Sequence, residues 1–432
     1  MTVDHRERTC GPRIELSPFF TSSPYEPTLP PVTSLDEVDL TDGDLYVHGD
    51  PHAAFRLLRQ QAPVFWHDRG GASAFGGQPF WAVTTYEGAT RVFSDSVAFT
   101  GADGQVLDLP KDPLEGFIGL AEGKEHRRWR KAVAPETGPM RIAEHAGRVR
   151  ETIRATLPEY VSGSTLDVVG LSDALPPAML SALLELSADE AARIAQLFAW
   201  GDFSESNFEG RGAFMNETVA GLIDARSGLP GDDMISVFTR RAAKGDLTQA
   251  QLTKYVENII EGAFVGTRSA VHNPILTLAH HPEQFARLRR EPDWIADGRA
   301  VEEVLRWAAH AVHGVRRVRV DSEILGQPVK AGDVVGVYFA SANRDESVYQ
   351  DPYVFDVGRR GPRIQSFSVG LHQCLGQYYV RSIVKSLLHE LVEHVTTIEQ
   401  VLPNERFLLG GSTVGSHFTH LSVEVDYHPA LV

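Results

Sequence analysis

Apolar residues recur three or four positions apart along most of the chain, which is the spacing typical of amphipathic helices. Turn-forming stretches rich in Gly, Pro, Ser and Asp separate these segments at positions 22–31, 68–77 and 227–233. Strand-like runs are fewer: PVFWHD and PFWAVTTY early, VRRVRVD and DVVGVYFA late, and FTHLSVEVDY near the end. With the early and late runs paired in one small sheet, the predicted fold is mainly α with a small β region, an α+β arrangement.

Capping boxes mark two of the predicted helix starts. Ser187 precedes Glu190 by three residues and Thr248 precedes Gln251 by three, each ahead of apolar residues at helical spacing. The second start predicts a helix that runs to about residue 280, a length of about 50 Å. Pro274 lies inside this helix, and we expect it to kink the axis.

Composition and charge narrow the class of protein. The 432 residues are 42% apolar and 23% charged, a balance typical of soluble globular proteins. A net charge of −16, from 41 basic and 57 acidic residues, argues against nucleic acid or an anionic membrane as a partner. The first thirty residues lack an apolar signal-peptide core, and no stretch reaches the roughly 18 apolar residues of a membrane span. We therefore expect a cytoplasmic protein.

No internal repeat, low-complexity tract or charged linker divides the sequence. We expect a single domain over residues 41–432, preceded by a partly flexible N-terminal extension over residues 1–40.

The second of two cysteines lies in a loop with the sequence FSVGLHQCLG. Cys10 and Cys374 are too few for a disulfide framework, which suits a reducing compartment. A lone cysteine is often only a small buried apolar residue. Here Gly370 and Gly376 permit sharp turns, and a helical pattern follows, so Cys374 is predicted at a helix N-terminus. The helix dipole there lowers a thiol pKa and favours a thiolate, as a ligand or a nucleophile.

Three chemistries remain for this thiolate. A zinc site needs three or four ligands at familiar spacings, and His372 with Cys374 supplies only two. A Cys–His hydrolase needs a histidine placed as a base, and one two residues away in a turn is badly placed. A thiolate that is the sole protein ligand of a cofactor fits best.

The loop resembles the haem-ligand signature F-x-x-G-x-H-x-C-x-G of the cytochrome P450 superfamily, soluble bacterial type. The matching residues are Phe367, Gly370, His372, Cys374 and Gly376. The resemblance implies the cytochrome P450 fold and a haem b cofactor whose iron takes Cys374 as its axial thiolate. It also implies that His372 lies near a haem propionate and that Phe367 shields the sulfur.

Further motifs agree with this resemblance in order and separation. Glu303 and Arg306 in EEVLRW resemble the family's E-x-x-R helix, which implies a buried structural ion pair. Arg317 matches the arginine that the family points at a propionate. His126 and Arg130 in GKEHRRWRKAV resemble the H-x-x-x-R pair, and at four residues apart they share one helix face and can both reach carboxylates.

The resemblance continues through the stretch SANRDESVYQDPYVFDVGR, which follows the family's A-N-R-D and F-D-x-x-R patterns. Phe355, Asp356 and Arg359 fill the second pattern. The resemblance therefore runs from about residue 45 to the C-terminus.

The long central helix departs from the family pattern A-G-x-(D/E)-T, whose acid and alcohol relay protons to dioxygen. Gly262 opens the corresponding stretch, Val265 replaces the acid and Gly266 replaces the alcohol. Thr267 lies one residue late, about 100° around the helix. We treat these four residues as the catalytic segment and expect protons to come from ordered water or from N–H or O–H groups of the substrate.

The resemblance also outlines a substrate pocket formed by several loops and helices. Its apolar residues favour an aromatic or otherwise apolar substrate, and its polar residues favour amide or phenol groups on it. The candidate lining residues are Val106, Phe117, Phe198, Ala263, Phe264, His310, His313, Ser412 and Val414.

We expect electrons to come from separate proteins, since the sequence shows no flavin or iron–sulfur module. A basic cluster of Arg359, Arg360 and Arg363, extended by Arg127, Arg128 and Lys131, would suit an acidic ferredoxin, itself reduced by a ferredoxin reductase.

The leading hypothesis is a monomeric haem-thiolate monooxygenase that oxidises a small natural product. A P450 that forms C–C or C–N bonds by oxidative coupling, for example of cyclic dipeptides or phenols, is the first alternative. A haem-binding sensor is the alternative from another class.

Overall fold

The computed structural model describes residues 14–15, 30–47, 49–68, 78–104, 118–199, 205–309, 311–408 and 416–428. Helices make up most of this part of the chain, as predicted. They are α1 (Gly43–Val47), α2 (Pro51–Gln61), α3 (Tyr86–Ser94), α4 (Gly123–Thr137), α5 (Pro139–Thr156), α6 (Val168–Leu183), α7 (Ala188–Ala199), α8 (Glu205–Asp224), α9 (Met234–Ala243), α10 (Gln249–His280), α11 (Pro282–Arg290), α12 (Asp293–Ala296), α13 (Arg299–Trp307), α14 (Phe339–Ala342) and α15 (Gln377–His394).

The strands form three small sheets. They are β1 (Ile14–Glu15), β2 (Val64–His67), β3 (Phe80–Val83), β4 (Phe99–Thr100), β5 (Val161–Ser162), β6 (Thr165–Asp167), β7 (His313–Val318), β8 (Ser322–Ile324), β9 (Gln327–Val329), β10 (Val334–Tyr338), β11 (Val395–Leu408) and β12 (Ser416–Tyr427). The sheet orders are β2-β3-β10-β7-β4, β1-β11-β12-β6-β5 and β8-β9. The predicted mainly α fold with a small β region is confirmed.

The first sheet joins the early and late strands that the sequence predicted to pair. β10 runs parallel to β3, with Val335 opposite Trp81, and antiparallel to β7, with Val335 opposite Arg316. Because side chains alternate along a strand, this register decides which face of β7 each residue occupies. The run FTHLSVEVDY instead enters the second sheet as part of β12.

The two predicted capping boxes are present. The Thr248 hydroxyl accepts a hydrogen bond from the Gln251 amide, and the Gln251 side-chain oxygen accepts one from the Thr248 amide at 2.9 Å. This exchange starts α10 at residue 249. Ser187 and Glu190 make the same exchange at the start of α7. With 32 residues, α10 is about 48 Å long, and it continues through Pro274.

The largest core cluster surrounds α10 and α15. Ile275 of α10, Leu387 and Leu391 of α15 and Val304 of α13 are at most 1% exposed within it. Burying each such side chain stabilises the fold by about 1.5–3 kcal/mol. Because α15 follows the cysteine loop directly, this core fixes the position of that loop. Among the described residues, no helix is both long and apolar enough to cross a membrane.

Residues just before the predicted domain boundary at 41 also pack into the core. Val38 and Leu40 are each 1% exposed, in a cluster with Tyr46 and Phe55. The hydroxyl of Tyr46 donates to the carbonyl oxygen of Leu40 at 2.9 Å. The last residues of the expected extension therefore pack against the domain, and the boundary at residue 41 stays a prediction. The part of the extension that precedes residue 30 lies, apart from β1, outside the described residues.

Candidate functional site

The cysteine loop is held against α3 by a glycine that no other residue can replace without strain. Gly370 has φ +77°, in the left-handed region. A Cβ at this position would lie 2.2 Å from the backbone oxygen of Phe93. The loop then turns so that the Cys374 amide donates to the Phe367 carbonyl at 3.0 Å.

Cys374 is exposed and lies just ahead of α15, whose N-cap is Gly376. Protein packed around the sulfur raises the pKa of the thiol, while N–H groups of Gly376 and Gln377 and the charge of Arg130 act in the opposite direction. The amides at the helix terminus thus act on the pKa in the predicted direction, but in the thiol alone desolvation outweighs them, so the net shift is upward. A metal bound to the sulfur would reverse this balance and displace the proton.

The aromatic ring beside the cysteine packs inward. Phe367 is 9% exposed and belongs to the main core cluster. The Arg381 guanidinium lies over its ring, with 4.5 Å from Cζ to the ring centroid. Arg381 in turn forms an ion pair with Glu302 of α13. Phe367 thus fastens the start of the loop to α13 and α15.

Two histidines from distant parts of the chain stack face to face. The ring centroids of His126 on α4 and His372 in the cysteine loop lie 4.1 Å apart, with the planes at 26°. The Nδ1 atoms of both rings are buried and have no hydrogen-bond partner among the described residues. Burial lowers the pKa of each to about 4, and nearby arginine charges add to the shift. Both rings are therefore neutral at pH 7.

Arg130, one turn after His126, connects α4 to the same loop. Its Nε donates to the carbonyl oxygen of Leu371 at 3.1 Å, and its Nη2 donates to that of Gln373. Burial lowers the pKa of Arg130, although the guanidinium stays charged at neutral pH. The two residues predicted to share a helix face thus meet the cysteine loop together.

The predicted Arg317 does not join this group, and its neighbour Arg316 does. Arg316 is 7% exposed, its guanidinium lies 4.6 Å from the Phe93 ring centroid, and its charge lowers the pKa of His372. Arg317 points to the other face of β7, where it binds Asp103 at 2.9 Å. The structure therefore brings Arg316, and not the predicted Arg317, to the histidines, because consecutive residues of a strand face opposite ways.

An acidic residue that sequence reasoning missed borders the histidines. Glu122 accepts from the Thr100 hydroxyl at 2.6 Å and from the Gly101 amide at 2.9 Å, and it lies 3.8 Å from His372 Nε2. Burial acts to raise its pKa, but these hydrogen bonds and nearby cations outweigh burial and lower it. No spacing in the sequence links Glu122 to a loop 250 positions later, so only the fold reveals it.

Behind the loop lies a buried cluster of charges. Arg306 Nε and Nη2 donate to the two oxygens of Glu303 at 2.7 and 2.8 Å, and both residues are at most 2% exposed. Arg306 also binds the carbonyl oxygens of Asn343 and Pro352, each at 2.9 Å. The pair thereby ties α13 to the segment ahead of the cysteine loop.

Arg359 joins this buried cluster instead of the protein surface. Its Nε donates to Glu303 at 3.1 Å, its Nη1 donates to the Gln350 carbonyl at 2.6 Å, and its side chain is 13% exposed. The prediction that Arg359 forms part of an exposed basic cluster is therefore wrong. Arg360 and Arg363 are exposed.

The catalytic segment predicted on α10 presents one open position. Gly262 is exposed, and a Cβ there would have no heavy atom within 4 Å. Gly266 is half-buried, and Ala263 and Thr267 are 8% and 1% exposed. The side chain of Val265 lies outside the described residues.

Of the predicted pocket residues, two more have described side chains. Phe198 is 5% exposed in a core cluster of α7 to α10. His313 is fully buried, its ring centroid is 5.6 Å from that of Tyr338, and it sits on the face of β7 opposite Arg316. This corrects the prediction that His313 lines the pocket. Val106, Phe117, His310, Ser412 and Val414 and the side chain of Phe264 lie outside the described residues.

Comparison with known proteins adds an independent line of evidence. A family model described as cytochrome P450 matches residues 229–405. Cytochrome P450 105C1 of a Streptomyces species is 30% identical over 361 residues, which cover 82% of this chain and 90% of that protein. Linalool 8-monooxygenase of Pseudomonas putida is 28% identical over 399 residues, which cover 86% of this chain and 96% of that enzyme.

Solved structures agree. P450 OxyD, which is involved in the biosynthesis of vancomycin-type antibiotics, superposes with a TM-score of 0.78 at 26% identity, covering 90% of this chain and all of that one. The fold, the cysteine loop and the 30% identity along most of a relative show that this chain belongs to the cytochrome P450 family of monooxygenases.

Proposed function

We propose that the protein is a haem-thiolate monooxygenase in which Cys374 is the axial ligand of haem b and a separate ferredoxin supplies electrons. The observation that carries this proposal is the convergence of an exposed cysteine at the start of α15 with two buried neutral histidines and two arginines. Members of this family bind haem through a cysteine thiolate, act on small molecules and receive electrons from redox partners.

The residues around Cys374 fit a cofactor that carries carboxylates. The Nδ1 atoms of His126 and His372 are buried polar atoms without a partner among the described residues, whereas most buried polar atoms in proteins are hydrogen-bonded. Arg130 and Arg316 bring two positive charges to the same place. The two propionates of haem b supply acceptors and negative charges for these four side chains.

When bound, the haem supplies activation of dioxygen, for which an axial thiolate is the electron-donating ligand. The protein's part is to hold the sulfur and exclude water from it. Gly370 sets the turn, the Gly376 and Gln377 amides face the sulfur, and Phe367 covers the loop from the core side. Such hydrogen bonds and burial tune a metal–thiolate bond.

On the opposite side we place the substrate along α10, next to Gly262 and Gly266. The exposed face at Gly262 leaves room there. Thr267 is 1% exposed, so an ordered water or the substrate itself is the proton source that we propose. An apolar, aromatic substrate with amide or phenol groups fits this arrangement.

We propose that ferredoxin docks on the side of the cysteine loop, on the exposed residues Arg360, Arg363, Arg127, Arg128 and Lys131. Basic groups on a chain of net charge −16 are suited to steer an acidic partner. Reversing Arg360 to Glu should slow reduction by ferredoxin, and more so at low salt. Lys330→Glu, on an exposed turn, is the control; equal rates for the two variants would contradict this docking site.

Oxidative coupling is the second candidate, because Val265 and Gly266 replace the acid and alcohol of the family pattern. A Soret titration against phenols, cyclic dipeptides, fatty acids and macrolides selects the substrate class, and product masses then separate the reactions. A monooxygenase adds one oxygen atom to the substrate, whereas coupling removes two hydrogens. Ligand binding with no turnover and no ligand-accelerated reduction would favour the sensor instead.

A further inference from the structure

An ion pair joins α8 to the central helix α10. Arg211 donates from Nη1 and Nη2 to the two oxygens of Glu261, at 2.7 and 3.2 Å. The Arg211 side chain is 10% exposed and that of Glu261 is 25% exposed. The cation is thus largely enclosed, whereas the carboxylate keeps an accessible edge.

Apolar core residues neighbour this pair along both helices. Met215, one turn after Arg211, and Ile260, adjacent to Glu261, belong to the core cluster built by α7 to α10. Moving charges from water into such surroundings costs several kcal/mol per ion, and an apolar pair of similar volume is often as stable. Such a pair is weak evidence for a purely stabilising role, and its position beside the exposed Gly262 of α10 favours a role in binding.

The pair borders the open face of α10. Gly262 follows Glu261 directly and is exposed, with no heavy atom within 4 Å of a Cβ built there. Position 265, where Val265 replaces the acid of the family pattern, lies one turn after Glu261 on the same side of the helix. α10 therefore carries a carboxylate at position 261, one turn before position 265, where the family pattern has an acid and this chain has valine.

The contacts with Arg211 leave Glu261 with acceptor capacity. An ionised carboxylate offers about four lone-pair sites, and Arg211 occupies two of them. The others accept hydrogen bonds and cannot donate any. A ligand group that meets Glu261 must therefore be an N–H or O–H donor, such as an amide, a phenol or an ammonium, and not an ether or a carboxylate.

We propose that Glu261, held in place by Arg211, accepts a hydrogen bond from an N–H or O–H group of the substrate and so determines which substrates bind. This inference rests on the proposed function and names the polar group that the substrate carries. Arg211 is the positioning residue, because its bidentate contact fixes the plane of the carboxylate.

Phenylimidazoles test this proposal without knowledge of the natural substrate, because an imidazole nitrogen binds haem iron and shifts the Soret band. The probes are the ortho, meta and para hydroxyl isomers, each paired with its methyl ether. A hydrogen bond to a charged group contributes about 1.5–3 kcal/mol, so at least one hydroxyl isomer should bind roughly 10- to 100-fold more tightly than its ether.

In Glu261→Gln this preference should fall to roughly 3- to 10-fold, since a neutral acceptor forms a hydrogen bond of about half the strength. Glu261→Met, which has no strong acceptor, should abolish it. Glu190→Gln is the matched control. Glu190 of α7 forms a similar partly buried pair with Arg226 at 2.7 Å, so its variant should keep the full preference.

Two results would overturn the inference: no preference for any hydroxyl isomer in the native protein, or an unchanged preference in both Glu261 variants. Failure of the proposed function looks different. If none of the probes shifts a Soret band, even unsubstituted phenylimidazole, the haem site itself is not built as proposed and both proposals fall.

Discussion

Replacing Glu303 by Gln removes the negative charge at the centre of the buried cluster behind the cysteine loop. Arg306, which is 1% exposed, and Arg359 both donate to Glu303 at 2.7–3.1 Å. Gln preserves the shape of the side chain but leaves two largely buried guanidinium groups without their counter-charge.

The expected loss of stability is large. Removing one partner of a buried ion pair typically costs about 3–5 kcal/mol, against a total free energy of unfolding of about 5–15 kcal/mol for most proteins. With a urea dependence of about 3 kcal/mol per molar, the unfolding midpoint should fall by roughly 1 M or more. The loop that carries Cys374 should loosen as well, so haem should be lost at lower urea.

Glu302→Gln is the matched control on the same helix. Glu302 pairs with Arg381, and the two side chains are 39% and 21% exposed. A pair that water reaches contributes about 0.2–1 kcal/mol, which moves the midpoint by roughly 0.3 M at most. Far-UV circular dichroism should follow the fold while Soret absorbance follows the haem, because cofactor loss can precede unfolding. Equal midpoints for the two variants would show that the buried cluster does not depend on the charge of Glu303.

Three further predictions concern single positions. Gly370→Ala should abolish haem incorporation, because its Cβ would lie 2.2 Å from the backbone oxygen of Phe93. Gly376→Ala should keep haem, because its Cβ would lie 3.8 Å from the nearest atom, and the Soret absorbance of the two purified proteins measures the difference. Arg316→Leu should weaken haem retention in an apomyoglobin transfer assay and Arg317→Leu should not; the reverse order would contradict the assignment. Burial lowers the pKa of His313 from 6.5 to about 3, so the unfolded chain binds its proton first and stability is lost as pH falls below 6.5. His126 and His372 add to this loss, so His313→Asn should reduce the slope of the urea midpoint between pH 6.5 and 5 without removing it, and an unchanged slope would contradict this.

Local signals in the sequence were sufficient to predict the start of α10 and the position of the cysteine loop. The start of α10 follows from Thr248 and Gln251, because a capping box is a contact between residues three apart. The position of Cys374 ahead of α15 follows from the glycines around it and the helical pattern after it. Each of these inferences needs only neighbours in the chain.

Errors arose where a side chain's position depends on distant partners. Arg316 and Arg317 are equivalent as letters, and only the register of β7 against β10 decides which one turns inward. Arg359 belongs to a run of arginines, yet Glu303, 56 residues earlier, draws it into the interior. The contact between Arg211 and Glu261 likewise has no signal in the sequence, since it depends on how α8 crosses α10.

The absorption spectrum of the reduced protein with carbon monoxide bound shows whether a thiolate is the axial ligand, because the band position depends on that ligand. We expect the thiolate-type band for the native protein and its loss in Cys374→Ser. A native protein that binds haem without this band, or a Cys374→Ser variant that keeps it, would contradict the assignment of Cys374 as the haem ligand.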